Sequence, residues 1–253
     1  MTIGVITNKD KDPALAYTHQ VCAFLAGQGI AVTLDDEGLK KAQLWVVLGG
    51  DGTMLRCSNI AAQYGIPLFG INLGNLGFLT DVEAHDGIQA LTKIIVGNYK
   101  IEKRLMLEVL ASGINHKLAL NDVYITSIGL GKFSIYVNGQ ELDIVRADGI
   151  ITATPTGSTA YNLSAGGPIL IPTGDMMVIT PVCPHSLSTR PCVVGAKDMV
   201  EITVHQPSQI ILDGEKAGDI AAGGSLVLQK SEYHTKIIKT HMAQLQKILR
   251  KKI

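Results

Sequence analysis

Along the first hundred residues, short β-branched apolar runs alternate with longer stretches whose apolar positions recur at helical spacing. TIGVIT (2–7) has the length and composition of a strand, whereas 13–28 (PALAYTHQVCAFLAGQ) sets Leu15, Val21, Cys22 and Leu25 near a helical period. Pro13 at the first helical turn and Gly29 just past the last mark the start and stop of that helix. IAVTL (30–34), LWVVLGG (44–50) and PLFGIN (67–72) read as further strands, with helices beginning near Thr53 and near Asp86. Strands that are apolar throughout are buried on both faces, and helices between them predict a parallel, doubly wound α/β sheet over 1–100.

From about residue 101 the pattern shortens to strand-length runs divided by turns, among them RLMLEVLAS, KFSIYVNGQEL, MMVITPV, MVEITVHQ and SQIILDGEK. Asn138-Gly139 predicts a tight hairpin, because both residues tolerate positive φ. A β-rich second domain over 101–229 follows. The last segment, 236–252, returns to helical spacing through Ile238, Met242, Leu245 and Leu249.

Composition narrows the function classes. The chain has 253 residues, 46% hydrophobic and 17% charged, which describes a folded protein with a sizeable core. Its 22 basic and 22 acidic residues cancel, so no global field favours nucleic acid or an anionic membrane, and an anionic ligand has to be captured locally. The start MTIGVITNKD lacks the basic and apolar regions of a secretory signal, and no window reaches the roughly 18 apolar residues of a spanning helix. A soluble cytoplasmic protein is expected. Cys22, Cys57, Cys183 and Cys192 are too scattered for paired metal knuckles, and the histidines lack the spacing of a helical metal pair.

Two stretches carry candidate chemistry. Gly49-Gly50-Asp51-Gly52-Thr53 falls at the carboxyl end of a predicted strand, where open α/β sheets place their ligands. Glycines bring N–H groups close to a phosphate, the following helix N-terminus adds partial positive charge, and Arg56 sits on its first turns. The loop has neither the lysine of a P-loop nor the GxGxxG pattern. Asp51 is the unexpected member, since a carboxylate among phosphate-facing glycines repels its ligand unless it has a task such as taking a proton. The alternative is an Asp-Gly turn that caps the next helix. The second stretch, 146–168 (RADGIITATPTGSTAYNLSAGGP), gathers Thr152, Thr154, Thr156, Ser158 and Thr159 before Tyr161 and Ser164. A helix starting near Ser158 would offer hydroxyls and N–H groups to a polyphosphate or nucleoside, with Tyr161 against a base. A Ser/Thr-rich helix cap is the alternative here.

Taken together, GGDGT (49–53), NLGNLGFLTD (72–81), LND (120–122), DGIITATPTGSTAYNLSAGGPI (148–169) and PHSLSTRP (184–191) resemble the NAD kinase family over essentially the whole chain. GGDGT alone is shared with diacylglycerol and sphingosine kinases and with phosphofructokinases, whereas TPTGSTAY followed by AGGP is specific. The resemblance implies an N-terminal α/β domain, a β-sandwich-like domain, and a C-terminal segment (about 230–253) that packs back to complete the first. It implies transfer of the γ-phosphoryl of ATP, or phosphoryl from polyphosphate, to the 2′-hydroxyl of NAD's adenosine ribose. Mg2+ would enter on the ATP phosphates without protein ligands, and the protein would be a homodimer or homotetramer.

Residue by residue, Asp51 resembles the catalytic aspartate, with Gly50, Gly52, Thr53 and Arg56 around the phosphates and Phe78 the aromatic near the adenine. Asn121 and Asp122 match the pair that holds ribose hydroxyls. Ser158, Thr159, Ala160, Tyr161, Asn162, Leu163 and Ser164 match the segment that binds the adenosine half. Arg146 and Asp148 match residues near the nicotinamide half or a neighbouring subunit. Three positions depart from the pattern: Asp122 stands where glutamate is commoner, Ala147 where Gly or Ser is usual, and Glu215 brings a charge where DGQ is the commoner form. His185 lies in the PHSLS loop, either lining the site or serving structure. DVEAHD (81–86) and KILRKKI (247–253) read as solvated helix ends, with charges suited to the helix dipole. The rival functions are a lipid kinase with the same glycine loop and a sensor that binds NAD without phosphoryl transfer.

Overall fold

A computed structural model of the chain describes residues 1–74, 77–111 and 113–241, with the backbone alone at 115 and 116. The chain divides into two compact units, Met1–Lys103 with Thr235–Ile253, and Arg104–His234.

The first unit runs β1 (Thr2–Thr7), α1 (Ala16–Gly27), β2 (Ala31–Thr33), α2 (Asp36–Lys41), β3 (Leu44–Gly49), α3 (Asp51–Tyr64), β4 (Leu68–Asn72), β5 (Val82–Glu83) and α4 (Ala84–Ile95). β1 pairs in parallel with β2 and β3, and β3 in parallel with β4. The carboxyl ends of β1, β3 and β4 therefore share one edge of the sheet, and this is what positions the loops that follow them. Every residue of β3 and β4 is buried, as continuous apolar strands covered on both faces must be. Val46, Leu48, Phe69 and Ile71 form one core with Val21, Leu25 and Leu91 of the helices. α3 ends at Gly65, whose left-handed φ of 67° lets its N–H reach back to Ala61 and Ala62.

Two local differences from the sequence reading have physical causes. α1 starts at Ala16, after Pro13, because the Asp12 carboxylate accepts the N–H groups of Tyr17 (3.3 Å) and Thr18 (2.9 Å) and so serves the first turn from outside it. The short α2 was not anticipated. It buries no side chain and so leaves no apolar stripe; its start is set by Asp35, which accepts the Gly38 N–H at 2.8 Å.

The chain leaves the first unit within β6 (Lys100–Ala111) and continues through β7 (Ile114–Ala119), β8 (Asp122–Val137) and β9 (Gln140–Ala153). A 3-10 turn (Gly157–Thr159) and the single-turn α5 (Tyr161–Ser164) come next. Then follow β10 (Met176–Val182), β11 (Cys192–Gly195), β12 (Val200–Val204), β13 (Ser208–Leu212), β14 (Glu215–Ile220) and β15 (Ser225–Lys239). The order β11-β10-β9-β8-β12-β15 is antiparallel at every step, and β13 pairs antiparallel with both β8 and β14. Asn138 and Gly139 turn the β8–β9 hairpin at φ 52° and 77°, with Val137 opposite Gln140, as a two-residue turn with both central residues at positive φ requires. Val123, Ile125, Phe133, Ile135, Ile150, Ile179 and Ile202 are the heart of this unit's core.

The expected C-terminal helix is corrected at its start. Residues 236–239 end β15, where Ile237 pairs in parallel with Leu68 of β4 and Ile238 is fully buried in the first core. Adjacent β-branched residues suit a strand, and the helical spacing of Ile238 with later apolar positions carried the helix back over a strand end. Met242, Leu245, Leu249 and the basic KILRKKI end lie outside the described residues.

Replacing Ile238 by Ala is expected to lower the unfolding free energy by about 2–5 kcal/mol in a denaturant titration. A loss below about 1 kcal/mol would mean that the returning strand does not hold the first core.

Candidate functional site

In the first unit, loops after β1, β3 and β4 meet at the common carboxyl edge. The Asn8 N–H donates to Leu48 O (2.8 Å), the Asn8 amide donates to Thr53 Oγ1 (3.2 Å), and the Leu73 N–H donates to Gly49 O (2.9 Å). Thr53 is thus turned inward, 5% exposed. Gly50 caps α3 without a side-chain bond, and Gly52 and Arg56 are exposed on its first turns.

Asp51 is the first residue of α3, and its carboxylate accepts the main-chain N–H groups of Phe78 (2.7 Å) and Leu79 (3.0 Å). This approach depends on Gly77, since a Cβ there would lie 1.8 Å from Asp51 Oδ1. The half-buried Phe78 therefore meets Asp51 through its backbone. Charge-assisted bonds of this kind fix the orientation of the acid without long side chains that must themselves be ordered.

Lys11 is the residue that sequence reasoning missed. Its ammonium nitrogen would stand 2.9 Å from a Cβ on Gly50 and 3.3 Å from one on Gly74. The glycine loop thus has a lysine after all, supplied from the loop after β1. The signal was available, because adjacent parallel strands β1 and β3 bring the NKDK segment (8–11) beside Gly49-Gly50.

In the second unit, two main-chain segments are pressed together. Thr154 donates through its N–H to Asn121 O (2.8 Å) and through its hydroxyl to Leu120 O (2.6 Å). Only a glycine fits at 157, where a Cβ would lie 2.0 Å from Asn121 O. Ser158 and Asn162, expected at the ligand, are fully buried and hold the loop from inside. The Ser158 hydroxyl donates to Pro155 O (2.7 Å) and accepts from the Leu170 N–H (2.9 Å). Asn162 donates to Ser158 O and Pro168 O and accepts from the Thr180 hydroxyl at 2.6 Å. Thr159, Ala160 and Leu163 are half-buried, while Tyr161 and Ser164 are exposed. The Tyr161 ring meets Tyr124 edge-on at 5.2 Å. Burial and the neighbouring Tyr124 hold its phenol above the ordinary range. Arg146 and Asp148 are exposed on β9, and Arg146 O accepts the His185 N–H at 2.8 Å.

Asp122 has a different environment from Asp51. It is 6% exposed, and its carboxyl has neither a hydrogen-bond nor an ion-pair partner among the described residues. Burial, and next the nearby Asp213, push it up to about 7. Asp213 is itself raised to about 6 by burial, against three main-chain bonds that favour its anion. A buried acid without a partner is costly to keep charged and cheap to satisfy with a ligand hydroxyl.

Phosphotransferases with an aspartate among phosphate-facing glycines are the class to which the first unit's fold and loop conform. Comparison with known proteins settles the family. The model of the ATP-NAD kinase N-terminal domain matches residues 37–99, and that of the ATP-NAD kinase C-terminal domain matches 120–240. An NAD kinase of Lachnoclostridium phytofermentans is 36% identical over 98% of this chain and 97% of its own length. One of Clostridium botulinum (strain Loch Maree) is 39% identical over 99% and 95%. A crystal structure of an NAD kinase from Archaeoglobus fulgidus in complex with ATP superposes with a TM-score of 0.85, at 26% identity over 99% of both chains. Yeast NADH kinase complexed with NADH shares the fold, with a TM-score of 0.83 at 22% identity over 100% of this chain and 87% of the other. The chain belongs to the NAD kinase family.

Because the Asp122 carboxyl is raised in the folded protein, the native state binds more protons than the unfolded chain between about pH 4 and 7, and stability falls as pH rises through that window. An Asp122→Asn protein is expected to be more stable than wild type at pH 8, with the advantage shrinking toward pH 5. Equal midpoints at pH 8 in parallel urea titrations would contradict this.

Proposed function

We propose that the protein transfers the γ-phosphoryl group of ATP to the 2′-hydroxyl of the adenosine ribose of NAD, giving NADP. The observation that carries this reading is the Asp51 carboxylate, held by the N–H groups of Phe78 and Leu79 beside the glycine loop at the start of α3. A ribose hydroxyl is a weak nucleophile at neutral pH, so its positioning and the removal of its proton are what the protein has to supply. As the ribose oxygen bonds to the γ-phosphorus and the bond to the β–γ bridging oxygen breaks, ADP leaves and the hydroxyl proton passes to Asp51. N–H groups at the start of α3, the Lys11 ammonium and Arg56 meet the donor phosphates.

Asn121 and Asp122 hold the ribose hydroxyls, Phe78 and Tyr161 pack near the adenine, and Thr159, Ala160, Leu163 and Ser164 line the adenosine half. Ser158 and Asn162 support that segment from within. Arg146 and Asp148 are assigned to the nicotinamide half. The loop fits a metal–nucleotide donor in one respect: it offers main-chain N–H groups and an ammonium, and the Asp51 carboxylate is turned to Phe78 and Leu79. Mg2+ then comes with ATP and neutralises phosphate charge when bound.

The solved relative with ATP supports this donor, with polyphosphate as an alternative. Exposed Ile128, Leu130, Leu142 and Ile144 on the β8–β9 hairpin suit a homo-oligomer, and four free cysteines suit the cytoplasm. Among the described residues no helix is long and apolar enough to cross a membrane.

Incubated with magnesium-ATP and NAD, the protein is expected to form NADP; NAD binding without NADP would favour the sensor reading. Asp51→Asn, shown folded by circular dichroism, should lose about 10²–10⁴-fold in kcat, and a wild-type rate would remove Asp51 from the mechanism. Lys11→Ala should raise KM for ATP about tenfold, the loss of one charge-assisted contact, and leave KM for NAD within about twofold. An unchanged KM for ATP would take Lys11 out of the donor site.

A further inference from the structure

Asp213 follows β13 and is held at φ 51°, with Gly214 at φ 85° completing the tight turn into β14. A non-glycine residue kept in the left-handed region is worth a functional question. Its carboxylate accepts three consecutive main-chain N–H groups, from Leu120 (2.8 Å), Asn121 (2.7 Å) and Asp122 (3.2 Å), and its own N–H donates to Asp122 O (3.0 Å). The turn that presents Asn121 and Asp122 is therefore anchored to the carboxylate of one half-buried residue. The side chain so presented, Asp122, is the buried carboxyl without a partner among the described residues.

We propose that Asp213 is a positioning residue for the acceptor pair: it fixes the main chain of Leu120–Asp122 and, as a neighbouring anion, helps keep a proton on Asp122 until a ribose diol displaces it. NAD binding then releases a proton. The inference rests on the reading that Asn121 and Asp122 receive ribose.

Three N–H donors stabilise the Asp213 anion, and a like charge close by disfavours a second one. The two acids titrate as a pair, and the proton resides on Asp122 because three main-chain N–H groups donate to Asp213 and no described residue donates to the Asp122 carboxyl. Glu215, exposed on β14, is a third acid of this corner and places a negative charge near Asp213, while Lys216 on the same strand is paired with Asp219 at 2.9 Å. The charge that Glu215 brings to this corner thus disfavours the Asp213 anion, and the three main-chain N–H groups act against it. When a cis-diol arrives, its two hydroxyls donate to Asp122 and supply what the protein withheld, so the carboxylate form binds and the proton leaves to solvent. Binding is therefore tighter as pH rises through about 7 and weaker below it.

The test uses NAD alone, so that titration of ATP does not enter. Calorimetry in two buffers of different ionisation heat, between pH 6 and 7, should show release of a sizeable fraction of one proton per NAD. Affinity should fall by up to about tenfold per pH unit below the break. Asp213→Asn keeps a side chain tolerated at positive φ and one carbonyl acceptor, so it should fold. Its break should move about one pH unit toward acid, with kcat at pH 8 changed less than KM for NAD. Binding without proton release, or an Asp213→Asn break at the wild-type pH, would overturn the inference. NADP formation by wild type is scored separately: if NADP forms and the break does not move, only this inference fails. If no NADP forms but NAD binds with proton release, the kinase reading fails and this one stands.

Discussion

Main-chain N–H groups in irregular loops have no ladder to join, yet they must find acceptors if the loop is to hold one shape. In this protein carboxylates supply those acceptors at four such places. Asp51 takes two from the loop after β4, Asp213 takes three from the turn before β8, and Asp12 takes two from the start of α1. Asp81 does the same for Thr240, accepting its N–H and hydroxyl at 2.8 and 2.6 Å where the chain re-enters the first unit. A parallel sheet decides only which edge its loops emerge from. The carboxylates decide what shape they take there.

Such anchoring works only where the backbone can come close enough. At Gly77 and Gly157 a methyl group would overlap the Asp51 carboxylate and the Asn121 carbonyl respectively. Their role is to leave room, so that a main-chain surface meets an acid or another main chain without an intervening side chain. One consequence is that the acid we propose for the chemistry is also a structural group: whatever moves the 77–79 loop also moves Asp51. The same holds for Asn121, whose carbonyl is tied to Thr154 while its side chain is the one we propose for the acceptor pair.

Much of the fold was legible because burial leaves a period in the sequence. The all-apolar β3, the apolar run of β4, the alternating runs of the second unit and the Asn138-Gly139 turn each carry their cause in local residue types. What escaped was non-local. Leu15 lies at positive φ because Asp12 draws the first turn of α1 toward itself, and no spacing rule contains that. Ile238 has both strand and helix patterns open to it, and pairing of its neighbour Ile237 with Leu68, far away in sequence, decides for the strand. Within the hydroxyl-rich stretch, composition could not say which groups face inward; Ser158 and Asn162 turn in because Leu170, Pro168 and Thr180 offer partners there. Asp213 escaped for the same reason, its three bonds to Leu120–Asp122 being made from a turn far along the chain, whereas Lys11 could have been found from the pairing of β1 with β3.

Asp122 shows why the anchoring has to be so strict. Where the family resemblance leads one to expect glutamate, this chain has a side chain one carbon shorter, with fewer torsions to adjust its reach. A long acid can correct a misplaced backbone, whereas a short one transmits the error to the ligand. With a one-carbon stem, the placement of the carboxyl is set by the main chain of residues 120–122, and that main chain is held by three bonds to Asp213. Rigidity of this kind also sharpens selection. A buried acceptor that cannot move toward a ligand lacking the right hydroxyl stays unsatisfied, and the cost of that unsatisfied group separates one nucleotide from another.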